Sequence, residues 1–94
     1  MADDGTSIEV ETRSPPTDDE INEYIGQRIR LYRTIMGMRL IDLAAATGLG
    51  FRLIQKYEYG HTRIAADTLW KIARALKQPV EFFYEGLDEL PSEA

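Results

Sequence analysis

Residues 42–60 read DLAAATGLGFRLIQKYEYG, and their spacing describes two short helices joined across one tight turn. Leu43 and Ala44 precede Gly48 and Leu49, and Ile54 and Tyr57 follow before Glu58 and Gly60. Ala44 is small enough to let a second helix cross closely. Gly48 stands where the chain must leave the first helix, a position that favours positive φ. Leu49 and Ile54 can then plug the space between the two helices.

Working outward, Thr17-Asp18-Asp19-Glu20 forms a helix start in which Thr17 caps and Glu20 answers three residues later. Ile21, Tyr24, Ile25, Ile29, Tyr32, Ile35 and Met36 recur at helical spacing, so helix one runs to about Met36, where Gly37 stops it. Helix two covers about residues 40–47 and helix three about residues 51–59. Helix four runs near residues 66–76, burying Leu69, Ile72, Ala73 and Leu76. Pro79 suits the first position of a short fifth helix with Val80 and Phe83 facing inward. The fold class is all-α, and no segment between residues 17 and 86 reads as a strand. Before Pro15-Pro16, residues 7–13 alternate Ile8 and Val10 with Glu9 and Glu11 in a period of two. That stretch has no stability alone and is a candidate to pair with its copy in a dimer.

The chain has 94 residues, enough for one small domain with its own core. It contains no cysteine, which excludes disulfides, thiolate metal sites and cysteine nucleophiles. No apolar run approaches the ~20 residues that span a bilayer, and the acidic start MADDGTSIEVE lacks an export core. A cytoplasmic protein is expected. The net charge of −5 is unevenly spread. Residues 1–20 hold seven acids and one base, residues 21–86 ten bases and six acids, and residues 87–94 three acids. A mildly basic body between acidic flanks is compatible with contact to phosphates. We therefore expect a flexible acidic arm at 1–16, a folded unit at 17–87 and an acidic tail at 88–94.

The segments IGQRIRLYRTIMGM, DLAAATGL, IQKYEYGHTRI and LWKIARALKQPVEFFYEG resemble the phage-repressor-like, XRE-type helix-turn-helix family of transcriptional regulators. The match covers roughly two-thirds of the chain. The resemblance implies a five-helix domain, working as a homodimer on palindromic double-stranded DNA, whose helix three enters the major groove. It also implies an ion pair between Arg33 and Glu58 that fixes the angle of helix three. There are departures. Leu40 stands where the family commonly places a polar phosphate donor, leaving that task to Arg39. Gly50 and Ala65 occupy cap positions usually held by Ser or Thr, and Ala65 forgoes ~1 kcal/mol of capping.

On helix three, Phe51, Arg52, Gln55 and Lys56 share the side facing away from Ile54 and Tyr57. Arg52 suits guanine O6 and N7, Gln55 suits adenine N6 and N7, and Phe51 suits a thymine methyl. Lys56, His61, Thr62 and Arg63 fall at the end of helix three and in the following loop, where side-chain donors set position on phosphates without reading sequence. Trp70 lies at the margin of helix four's apolar face, as half-buried core or as a dimer contact. His61, the only histidine, has no titratable partner arranged by spacing, and no phosphate loop or metal spacing appears, so neither catalytic residues, a metal nor a cofactor are expected. The alternative reading is a protein-interaction module with vestigial DNA binding, in which Phe51, Leu53 and the acidic tails engage a partner protein. The arm could also screen Arg52 and Arg63 by its charge.

Overall fold

Thr17 and Glu20 open the first helix by satisfying each other. The Thr17 N–H donates to Glu20 Oε1 at 2.8 Å, and the Glu20 N–H donates to Thr17 Oγ1 at 3.1 Å. In the computed structural model, which describes residues 15–90, this helix is α1, Asp18–Ile35. It is followed by α2, Leu40–Thr47, α3, Phe51–Glu58, and α4, Ala66–Ala75. Two 3-10 segments close the fold, η1 at Val80–Tyr84 and η2 at Leu87–Glu89. No strand occurs among the described residues. The strand-like stretch at 7–13, most of the expected arm and the end of the expected tail lie outside them.

Each turn uses a device visible in the residues. Gly48 takes φ 77° and its N–H bonds the Ala44 carbonyl at 2.8 Å, closing α2. Thr47 helps, its hydroxyl donating to the Leu43 carbonyl at 2.8 Å and accepting from the Leu49 N–H at 3.3 Å. Helix α1 ends in a paired cap, with the Met38 N–H on the Arg33 carbonyl and the Gly37 N–H on the Thr34 carbonyl, both at 2.9 Å.

Ile25 and Ile29 of α1, Leu43, Ile54, Tyr57, then Leu69, Ile72 and Ala73 of α4 with its C-cap Leu76, and Phe83 form one buried cluster. Helix α3 packs against both α1 and α2, α2 against α4, and η1 against α1 and α4. The α1–α3 approach is very close at Gly26. A Cβ there would lie 2.1 Å from the Tyr57 carbonyl oxygen and 2.9 Å from that of Glu58. Only a glycine admits the end of α3 so near.

The structure adds detail to three expectations. The fifth helix is 3-10 rather than α, although Phe83 points fully inward as anticipated. Ile35, placed on the apolar stripe of helix one, is 62% exposed, because the helix has run past the core by its last turn. Trp70, expected as half-buried core or a dimer contact, is 53% exposed, with the Arg74 guanidinium 4.9 Å from its ring centre.

Arg28 ties η1 to α1. Its Nε donates to the Phe82 carbonyl at 2.9 Å, and its guanidinium lies 4.0 Å from the Phe82 ring centre. Tyr32 meets the same ring edge-on at 4.3 Å. The Tyr24 hydroxyl donates to the Glu85 carbonyl, so α1 grips the middle and the far end of this segment.

Candidate nucleic-acid interface

Helix α3 is apolar on one side and charged or polar on the other. Ile54, Tyr57 and Glu58 are buried, whereas Arg52, Gln55, Lys56 and Tyr59 are exposed. Spacing by three and four places Arg52, Gln55, Lys56 and Tyr59 on one face. Phe51 and Leu53 flank it, 47% and 36% exposed. The Arg52 guanidinium lies 5.8 Å from the Phe51 ring centre. No hydrogen bond or ion pair engages Arg52, Gln55 or Lys56 with other side chains among the described residues.

The opposite side is locked in place. Arg33 Nε donates to Glu58 Oε2 at 2.6 Å and Nη2 to Oε1 at 3.0 Å. Its remaining nitrogen, Nη1, donates to the Met38 carbonyl at 2.9 Å. The fork therefore joins the end of α1, the following turn and the last turn of α3. The Glu58 side chain is 4% exposed. Hydrogen bonding to Glu58 holds the Arg33 guanidinium above its ordinary pKa, against the opposing effect of burial.

The other named residues sit around this helix. Arg39 precedes α2 and is engaged with Asp42. The Arg39 N–H donates to Asp42 Oδ2 at 2.7 Å, Nε to the same oxygen at 3.1 Å, and Nη2 to Oδ1 at 3.1 Å. Asp42 thus caps α2 in the place of the missing polar N-cap. His61 is exposed beyond α3, its ring stacked on that of Tyr59 at 5.9 Å. Thr62 is half-buried. Arg63 is exposed and reaches Asp18 Oδ2 at 3.2 Å, across to the start of α1. Sequence reasoning missed Tyr59, although its position three and four beyond Lys56 and Gln55 marks the same face. It also missed the Asp42 cap, for which the signal was an acid three residues after Arg39. No group of acids and His that could hold a metal occurs among the described residues. None of their helices is long and apolar enough to cross a membrane.

Residues 29–83 match the family model described as helix-turn-helix. A transcriptional regulator of this type from Sinorhizobium medicae (strain WSM419) is 41% identical over 76 residues, covering 81% of this chain and 53% of the relative. A Rhodospirillum rubrum transcriptional regulator in the ATPase CF(0) region is 39% identical over 72 residues, 77% of this chain and 67% of the relative. The chain spans about half the length of most curated relatives it matches. Among solved structures, the restriction-modification controller protein C.AhdI from Aeromonas hydrophila superposes with a TM-score of 0.63 at 28% identity, covering 65% of this chain and 92% of that one. These relatives are regulators rather than enzymes. The chain belongs to the XRE-type helix-turn-helix family of DNA-binding transcriptional regulators.

Proposed function

We propose that this chain is a sequence-specific transcriptional regulator whose helix α3 reads the major groove, acting as a homodimer on a palindromic site. The folded unit is residues 17–87, flanked by acidic segments, and the working compartment is the cytoplasm. The observation that carries the reading is the division of α3. One face is fixed by Ile54, Tyr57 and the Arg33–Glu58 fork, while the other presents Arg52, Gln55 and Lys56 with no side-chain hydrogen bond or ion pair among the described residues. A rigid helix with a free donor face matches what groove recognition requires. Arg52, Gln55 and Phe51 take base edges. Arg39, Lys56, His61, Thr62 and Arg63 take phosphates. The Arg39–Asp42 and Arg63–Asp18 pairs do not oppose this role, since exposed pairs are weak in water and exchange readily for phosphate.

The test is enrichment of bound duplexes from a randomised library, followed by sedimentation of the protein–DNA complex. Enriched sequences should carry two inverted half-sites with centres about 34 Å apart, and two chains per duplex. A second reading, a protein-docking module, draws on the exposed Phe51 and Leu53 and the acidic flanks. It predicts no enrichment at all, even at low salt.

A further inference from the structure

Helix α3 opens on an arrangement that plain guanine recognition does not need. A guanidinium that contacts guanine O6 and N7 works without apolar neighbours, yet here Arg52 stands between two exposed apolar side chains, Phe51 and Leu53. Phe51 contributes nothing to the buried cluster. Its ring instead lies beside the Arg52 guanidinium, 5.8 Å from ring centre to guanidinium carbon. Phe51 is the first residue of the helix and Gly50 before it has no side chain, so nothing on the preceding residue shields the ring. The cost of leaving an aromatic ring in water is recovered only if something apolar covers it in the bound state.

We infer that Phe51, Arg52 and Leu53 together read a pyrimidine–guanine step through the C5-methyl group of its pyrimidine. This rests on the major-groove reading above and names the base step that site prefers. In the groove, guanine offers two acceptors to an arginine, and the only apolar group offered by any base is a methyl at C5 of a pyrimidine. Arg52 takes the guanine, and the Phe51 ring, held beside it, covers the neighbouring methyl, with Leu53 closing the other side. Thymine carries that methyl and unmodified cytosine does not. 5-Methylcytosine carries it in the same place, so TpG and 5-methyl-CpG are equivalent to this surface while CpG is not. Burying one methyl group corresponds to about a fourfold change in affinity.

The experiment uses the full 94-residue chain and duplexes enriched from a randomised library. Within the enriched site, each TpG step is replaced by deoxyuridine–guanine, by CpG and by 5-methyl-CpG, and affinity is measured by titration. The expected result is a loss of about fourfold or more per step for deoxyuridine and for CpG, and recovery with 5-methyl-CpG. Phe51→Ala should bind the enriched sequence about fourfold more weakly per step and no longer distinguish methylated from unmethylated forms. Equal affinity of the wild type for thymine and deoxyuridine duplexes overturns this inference and leaves the groove reading standing. A library that yields no enriched sequence overturns both.

Discussion

Arg33 holds both carboxylate oxygens of Glu58 and, with its remaining nitrogen, the Met38 carbonyl. The end of α1, the turn after it and, 25 residues on, the last turn of α3 are therefore set by one guanidinium. The pair is mostly dry, so removing one partner leaves an unmet charge against α3. Arg33→Met should cost about 3–5 kcal/mol in urea unfolding. Replacing both, Arg33→Met with Glu58→Leu, should cost clearly less than the single change, because no orphan charge remains. If the double variant is as unstable as the sum of the singles, burial of an unpaired Glu58 is not the cause.

Gly26 sets how near α3 comes to α1. An alanine Cβ would meet backbone carbonyl oxygens at 2.1 and 2.9 Å, and backbone cannot rotate away as a side chain can. Gly26→Ala should therefore destabilise by about 2 kcal/mol or more, despite the better helix propensity of alanine. By contrast Gly50→Ala meets nothing within 4 Å and should cost only about 0.5–1 kcal/mol, the difference between glycine and alanine at an N-cap. Comparable losses at the two positions would refute the steric account.

Much of this architecture was legible because the signals are local. The Thr17–Glu20 box, the glycines at 37, 48 and 60, and apolar spacing locate four helices to within a residue at most ends. The sides of α3 follow from the same spacing. What was not legible depends on contacts across the fold. The close approach at Gly26 has no local pattern beyond a glycine inside a helix, and the Arg28 grip on Phe82 joins residues 54 apart. Ile35 fits the apolar period but has no partner beyond the core's edge, since periodicity says which face a residue is on and not how far the core extends.

The two ends of α4 carry avoidable costs. Ala65 has the extended backbone of an N-cap, φ −65° and ψ 152°, but no oxygen to offer. At the other end Lys77 takes φ 60°, in the paired cap where glycine is usual, with the Gln78 N–H on the Ala73 carbonyl at 3.0 Å. Ala65→Ser should stabilise by about 1 kcal/mol and Lys77→Gly by about 0.5–1 kcal/mol, additively in thermal melts. A fall in midpoint for either would show that its cap geometry is not as described.

Asp42 gives the fold an acid-sensitive point. The Arg39 side chain, and then its backbone N–H, hold the Asp42 carboxyl below the ordinary carboxylate value. A depressed value in the folded state means stability that is complete above the unfolded value of about 4 and is lost as pH falls through the folded one. Asp42→Asn lacks this ionisation. The stability gap between wild type and variant should be constant at neutral pH and shrink on acidification below about pH 4. A gap that stays level down to pH 2 would falsify the assignment.

Arg52 and Arg63 separate the two kinds of contact proposed for the interface. Arg52 has no ion-pair partner among the described residues and projects from the first turn of α3. Arg63 lies in the loop beyond, held only by an exposed pair with Asp18 at 3.2 Å. A base-reading arginine discriminates among sequences, so Arg52→Ala should cost about 1–3 kcal/mol on the enriched site and little on other DNA. A phosphate contact releases a counterion whatever the sequence. Arg63→Ala should thus weaken all duplexes alike and lower the slope of affinity against salt by about one. Asp18→Asn frees the Arg63 guanidinium and should act in the opposite direction at low salt. Titrations of the enriched and a scrambled duplex at several salt concentrations distinguish these outcomes. If Arg63→Ala alters base preference while Arg52→Ala shifts only the salt slope, the roles are reversed and α3 does not present its first turn to the bases.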